Sequence, residues 1–279
     1  MLTPRTAAAA LFAVLALLAF VSPSPAALAA AAAPGPGGLV VTYEPGETEE
    51  DEAERQFLEA NEVLESAATH ANSLIGLPRD ISLTALSCGE ENAFWDPESE
   101  TIAFCYELAG AYRSLFTDLN TEGSEAERVR ATDDDVIGIS NSVVFHEFGH
   151  ALISLYDLPI TGREEDAADQ LATLLLAGDS LHQEYAVSAI EAWGALALSA
   201  EQGDVAADPA DEHSLDSQRY FNAICWLYGS DPAAYQGVVA TDGNPDGVLP
   251  EDRAARCPAE FDQIDQAWGT LLEPYLKTA

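Results

Sequence analysis

The stretch SNSVVFHEFGHALISLY, residues 140–156, decides how this chain is read. Val143, Val144, Phe145, Ala151, Leu152 and Ile153 make it apolar enough for a buried helix, around a polar cluster of His146, Glu147 and His150. Residues four apart on a helix share one face. His146 and His150 can therefore aim ring nitrogens at one ion, with Glu147 at the edge of the same face, placed to take a proton from water. An unpaired His-Glu-His cluster inside a buried helix would be costly to desolvate, and a metal ion offsets that cost. Gly149 gives up about 1 kcal/mol of helix propensity relative to alanine. Its use there is to let another backbone pack close to the ligands.

Pro159 stops this helix, and TGREEDAADQLATLLL, residues 161–176, begins the next. Zinc held by two histidines needs a third protein ligand and an open position. Three acids compete for that place: Glu164, Glu165 and Asp166. Thr161 and Glu164 fit a capping box, T-x-x-E, which occupies Glu164 at the helix start. Glu165 and Asp169 are four apart, on one face with the small Ala168 and Ala172. Glu165 is thus expected to ligate the zinc. Asp169 is expected to accept the other ring N–H of a ligand histidine and so fix its tautomer.

H-E-F-G-H followed at short range by E-x-x-A-D-x-x-A resembles the minimal gluzincin peptidases. More closely, NAFWDPESETIAFCYEL (92–108), VVFHEFGHALISLYDLPITGREEDAADQLATLLL (143–176) and QRYFNAICWLYGSDP (218–232) resemble a bacterial family of unknown function described only as metallopeptidases. The resemblance runs from about residue 40 to 276. It implies a zincin fold, zinc ligands His146, His150 and Glu165, and Glu147 as general base. The interval from His150 to Glu165 is shorter than in many gluzincins.

The start of the chain reads as an export signal. Arg5 is followed by the apolar run AAAALFAVLALLAFV (7–21), the breakers Pro23 and Pro25, and the A-x-A site Ala27-Leu28-Ala29. Residues 1–29 are therefore expected to be removed, leaving no stable membrane insertion and a periplasmic or secreted protein. In an oxidising compartment the four cysteines suggest two disulfides, with Cys88–Cys105 and Cys225–Cys257 favoured because each closes a local loop. With no C-x-x-C pair, a cysteine zinc site is not expected.

The 48 acidic residues outnumber the 11 basic ones, for a formal net charge of -37. Such a surface repels nucleic acid and anionic lipid, which removes both as partners. A length of 279 residues with 48% hydrophobic content suits one packed domain, assigned to 51–279 after a linker-like extended segment at 30–50.

Pattern and punctuation predict an edge strand at 39–43, a helix over 50–72, a strand over 80–88, and a hairpin of 92–95 with 101–105 about Asp96-Pro97-Glu98-Ser99. A helix over 106–119 and an acidic loop over 120–135 follow. Helices are then expected at 137–156, 162–178, 183–200, 214–228 and 259–276, with a polar loop at 201–213. A small N-terminal sheet followed by a run of helices makes the class α+β.

Four further features complete the reading. TIAFC (101–105) is the expected edge strand to which an extended peptide could add. His213, with Arg219 and Tyr220 nearby in sequence, is the candidate for stabilising a tetrahedral intermediate. His70 and His182 read as surface residues. Asp242, Asn244 and Asp246 match the start of a calcium loop, but Arg253 stands at the twelfth position where a bidentate acid is required, and an Asn-Pro-Asp-Gly turn explains the same residues. The sequence therefore predicts an exported zinc metallohydrolase acting on peptide bonds. Its rival is a catalytically silent metal-binding or interaction module on the same scaffold, against which the intact Glu147 speaks.

Overall fold

The computed structural model describes residues 35–178, 182–202 and 210–277; the predicted signal peptide lies outside them. Six strands and nine α-helices are found among the described residues: β1 (Leu39–Tyr43), α1 (Glu49–Ala60), α2 (Val63–Leu74), β2 (Ile81–Leu86), β3 (Ala93–Asp96), β4 (Thr101–Cys105), α3 (Tyr106–Leu119), α4 (Glu125–Tyr156), α5 (Glu164–Ala177), α6 (His182–Gln202), α7 (Asp216–Ser230), β5 (Val239–Ala240), β6 (Leu249–Pro250), α8 (Glu251–Ala254) and α9 (Cys257–Leu272). The class is α+β, with a four-stranded N-terminal sheet followed by helices.

The sheet runs in the order β1-β2-β4-β3, parallel except for the antiparallel β3–β4 hairpin. This corrects the expectation that TIAFC lies at an edge. β4 is paired on both sides, and Ile102 to Cys105 are all buried. The reason is legible in hindsight: a strand apolar on both faces belongs in a sheet interior, not at its rim. The free edge beside α4 is β3 instead. Cys105 N–H donates to Asn92 C=O, so the ladder bonds fall at the 94/103 and 96/101 pairs, and the backbone groups of Ala93 and Trp95 point outward.

Helix α4 is the spine, and it is longer than predicted. The acidic stretch from 125 is its first three turns rather than a loop. Ser124 and Glu127 form a capping box. The Asp133–Asp135 run, unfavourable alone, is absorbed by tertiary partners: Arg113 pairs with Asp133, while Asn120 Nδ2 and Ser188 Oγ both donate to Asp135. The predicted 50–72 helix is two helices, broken at Glu62, whose φ is 52°.

The core joins the sheet, α2, α4 and α5 around Leu64, Leu83, Phe104, Phe145, Phe148 and Leu152. His70 and His182 belong to this packing, not to the surface. Their rings lie 4.2 Å apart, His182 is buried, and both sit near Phe145. Both predicted disulfides are present: Cys88–Cys105 ties the β2 exit to β4, and Cys225–Cys257 ties α7 to α9. The segment 242–246 is a double turn. Asn244 Nδ2 donates to the carbonyls of Gly237 and Val239, and Arg253 pairs with Glu260. Among the described residues, no helix is long and apolar enough to cross a membrane.

Gly149 sits where α4 and α5 cross. A Cβ there would lie 3.0 Å from Ala168 Cα and 3.2 Å from its Cβ. Substitution Gly149→Val should therefore overpack the crossing and destabilise the fold by about 1–3 kcal/mol. Thermal unfolding checks this; an unchanged midpoint would mean that α5 shifts freely.

Candidate metal centre

Two helices build the site. The buried half of α4 carries His146, Glu147 and His150, and the first two turns of α5 carry Glu164, Glu165 and Asp169. His146 Nε2 lies 3.2 Å from His150 Nε2, and Glu165 Oε2 lies 3.1 Å and 3.3 Å from these two nitrogens. The other ring nitrogens face carboxylates: His146 Nδ1 is 2.7 Å from Asp169 Oδ1, and His150 Nδ1 is 2.9 Å from Glu164 Oε1. A carboxylate only accepts, so each Nδ1 donates, and each neutral imidazole keeps its lone pair on Nε2. Three electron pairs thus converge on one point, an arrangement that calls for a cation. Atoms ligating a tetrahedral zinc at about 2.0–2.1 Å stand roughly 3.4 Å apart, so the observed spacings fit. Among the described residues one other group, Cys88, Cys105 and Glu107, is as close, but its sulfurs are joined in a disulfide.

The electrostatics carry the same demand for positive charge. Burial disfavours the His146 cation, yet hydrogen bonds to Asp169 and Glu165 overcome it and raise the pKa to about 9. His150 is likewise raised, by Glu165 and Glu164 against the cost of burial. Burial by itself would raise Glu165, but His146, His150 and His213 hold it well below the usual carboxylate range. Asp169 is held low against its burial by the Arg219 cation and by His146.

Glu147 is buried beside the triad. Burial raises its pKa above the ordinary carboxylate value, against the opposing pull of His146 and His150. That shift favours proton uptake, as a general base requires. His213 stands next to the triad rather than within it. Its Nε2 is 2.9 Å from Glu165 Oε2, its Nδ1 is 3.3 Å from Asp211 Oδ1, and its ring is half-exposed. These groups line a cleft of about 390 Å³, whose walls include Leu108, Tyr112, Val143 and Trp193.

One sequence expectation needs correction here, and two neighbours of His213 are otherwise engaged. Glu164 does not cap α5: the N-cap is Arg163, without a side-chain cap bond. Because the helix starts at Glu164, Thr161 lies outside it and Glu164 turns toward His150. Arg219 is not available to a reacting group, since its Nε and Nη2 bind both oxygens of Asp169 and its guanidinium lies 3.7 Å from the Trp193 ring. Tyr220 packs against Gly194 and lines a separate apolar groove. Trp95, Tyr112, Trp193 and Arg163 were not legible as site residues. They come from four different elements and carry no mutual spacing.

Two outcomes follow from this arrangement. Asp169→Asn leaves Arg219 buried without its counter-charge and should cost about 3–5 kcal/mol in denaturant unfolding. Without an ion, His146 is protonated below about pH 9. His150 is raised as well, so a metal displaces protons from both imidazoles, and apparent metal affinity should strengthen by at least about tenfold per pH unit below that value. Chelator competition between pH 6.5 and 9 measures the slope, and a flat profile would refute it.

No curated protein and no solved structure matches the chain significantly. Residues 43–272 match the family profile described as "Putative metallopeptidase". That match spans most of the chain and encloses both helices that carry His146, His150 and Glu165, so this protein belongs to that metallopeptidase family.

Proposed function

We propose that this protein is an exported zinc-dependent peptidase, with His146, His150 and Glu165 as the metal ligands and Glu147 as the general base. One observation carries the reading: two histidine Nε2 atoms and a carboxylate oxygen converge within 3.1–3.3 Å, while the outer ring nitrogens are committed to Asp169 and Glu164. A zinc ion held there would supply Lewis acidity toward a carbonyl oxygen and would acidify water to near neutral pH.

The chain's own residues supply the rest. Glu147 takes a proton from the attacking water and returns it to the leaving amine. Its raised pKa suits both transfers. His213, whose Nε2 lies 2.9 Å from Glu165 Oε2 beside the triad, is the residue placed to turn that N–H to the developing oxyanion, with Asp211 beside its Nδ1. An extended peptide pairs with β3, whose outward groups at Ala93 and Trp95 line the cleft. Support for export comes from the A-x-A leader at 27–29 and from two disulfides, which persist in oxidising compartments.

Metal content measured by mass spectrometry on the mature protein tests the ligand set. About one zinc in the wild type, lost in Glu165→Ala and retained in Glu164→Ala, is expected. A peptide library then tests turnover: Glu147→Gln should keep its zinc and lose about 10²–10⁴-fold in rate. Bound zinc with no hydrolysis by the wild type would favour a binding module on the same scaffold, and no stoichiometric metal would end the enzyme reading.

A further inference from the structure

We infer that Arg163 is a positioning residue, which with Asp166 latches the 211–214 segment to the start of α5 and thereby sets His213 against the metal-binding triad. The geometry is specific. Arg163 Nη1 donates to the carbonyl oxygens of Asp211, Glu212 and His213, at 3.2, 3.2 and 2.8 Å. One turn along the same helix start, Asp166 Oδ1 accepts from Ser214 Oγ at 2.6 Å. Between these two ties, Glu164 reaches His150, while Glu165 reaches His146, His150 and His213 itself. Four consecutive residues thus alternate in task. Residues 163 and 166, one helical turn apart, hold the segment; residues 164 and 165 face the histidines.

A latch is needed here because both partners are acidic. Glu164, Glu165 and Asp166 face a segment that carries Asp211 and Glu212, and like charges push the two apart. Three successive carbonyls turned toward one nitrogen need a donor that can address several acceptors. Nη1 carries two N–H groups, which the three carbonyls share, with the shortest contact to His213 C=O. Within the segment, Asp211 Oδ1 accepts from the His213 backbone N–H at 2.8 Å and lies 3.3 Å from its Nδ1. The tether therefore extends from Arg163 through the curled backbone to the imidazole. The distance between His213 Nε2 and Glu165 Oε2, 2.9 Å, is set by two residues that are neighbours in sequence to Glu165 itself.

The catalytic part of this inference rests on the peptidase reading; the latch does not, because it can be read in zinc-free protein. The first measurement is backbone hydrogen exchange on zinc-free wild type and Arg163→Gln. The His213 and Leu215 amides should exchange at least about tenfold faster in the variant, while those of 146–150 keep their wild-type rates. Unchanged rates at 213 and 215 would overturn the latch. If Arg163→Gln loosens α4 as well, Ser214→Ala decides: faster exchange confined to the segment supports the latch, and an unchanged rate there refutes it.

The second measurement is turnover with zinc content held at wild-type stoichiometry. Arg163→Gln should lose about ten- to a hundredfold in kcat with KM little changed, since displacement of a catalytic group by about 1 Å costs this much. Arg163→Lys should recover part of the loss. The double variant Arg163→Gln/His213→Ala should be no slower than His213→Ala alone; additive losses would show that Arg163 does not act through His213. Should the wild type hydrolyse no peptide, the peptidase reading fails, and exchange still decides the latch.

Discussion

The carboxylate of Asp169 is the point on which the architecture turns. One of its oxygens accepts from His146 on α4, and both accept from Arg219 on α7, whose guanidinium lies over Trp193 of α6. Four helices therefore meet at one buried ionic group borne by α5. Buried charges are tolerated only when paired and hydrogen-bonded, so the alternative to this geometry is not a slightly looser site but an uncompensated charge in the interior. The constraint is strict enough to fix the His146 tautomer, and with it the direction in which Nε2 presents its lone pair. What emerges is a cluster of acceptors that the polypeptide cannot satisfy with its own neutral groups.

The same economy of positive charge governs the rest of the molecule. Against 48 acidic residues the chain has 11 basic ones, and several of these join elements rather than decorate the surface. Arg113 connects Glu54 of α1 with Asp133 of α4, Arg253 joins α8 to Glu260 of α9, and Arg163 gathers the 211–213 carbonyls. In a chain this acidic, a cation placed between two negative segments relieves repulsion as well as forming a bond. A field of this sign also raises the local concentration of cations near the cleft.

Much of the site could be read from local sequence because helical periodicity is a local property. The spacing of His146 with His150, and of Glu165 with Asp169, follows from the helix repeat alone, and the structure brings all four residues together. Local rules failed where a tertiary partner overrode them. The helix over 125–136 was hidden by an Asp run that becomes acceptable only once Arg113, Asn120 and Ser188 are in place. Glu164 matched a capping pattern, yet the helix begins two residues later than that pattern requires, and His150 offers it a partner. Nothing acidic or aromatic in the local sequence singles out His182, yet it packs beside His70 and Phe145.

The sequence by itself determined the α+β order, both cysteine pairings, and the identity of two histidines and a glutamate able to share one ion. Each of these depends on residues close in sequence or on a repeat set by backbone geometry. Only the tertiary structure decided that β3, not β4, is the open edge. Strand order depends on which faces are covered by other elements, and that is a non-local outcome. The pairing of Asp169 with Arg219 fifty residues on, the reach of His213 to Glu165, and the grip of Arg163 on a distant backbone were likewise settled by packing. Such contacts have no period in the sequence. They exist because buried and like-charged groups must find partners wherever the fold places them.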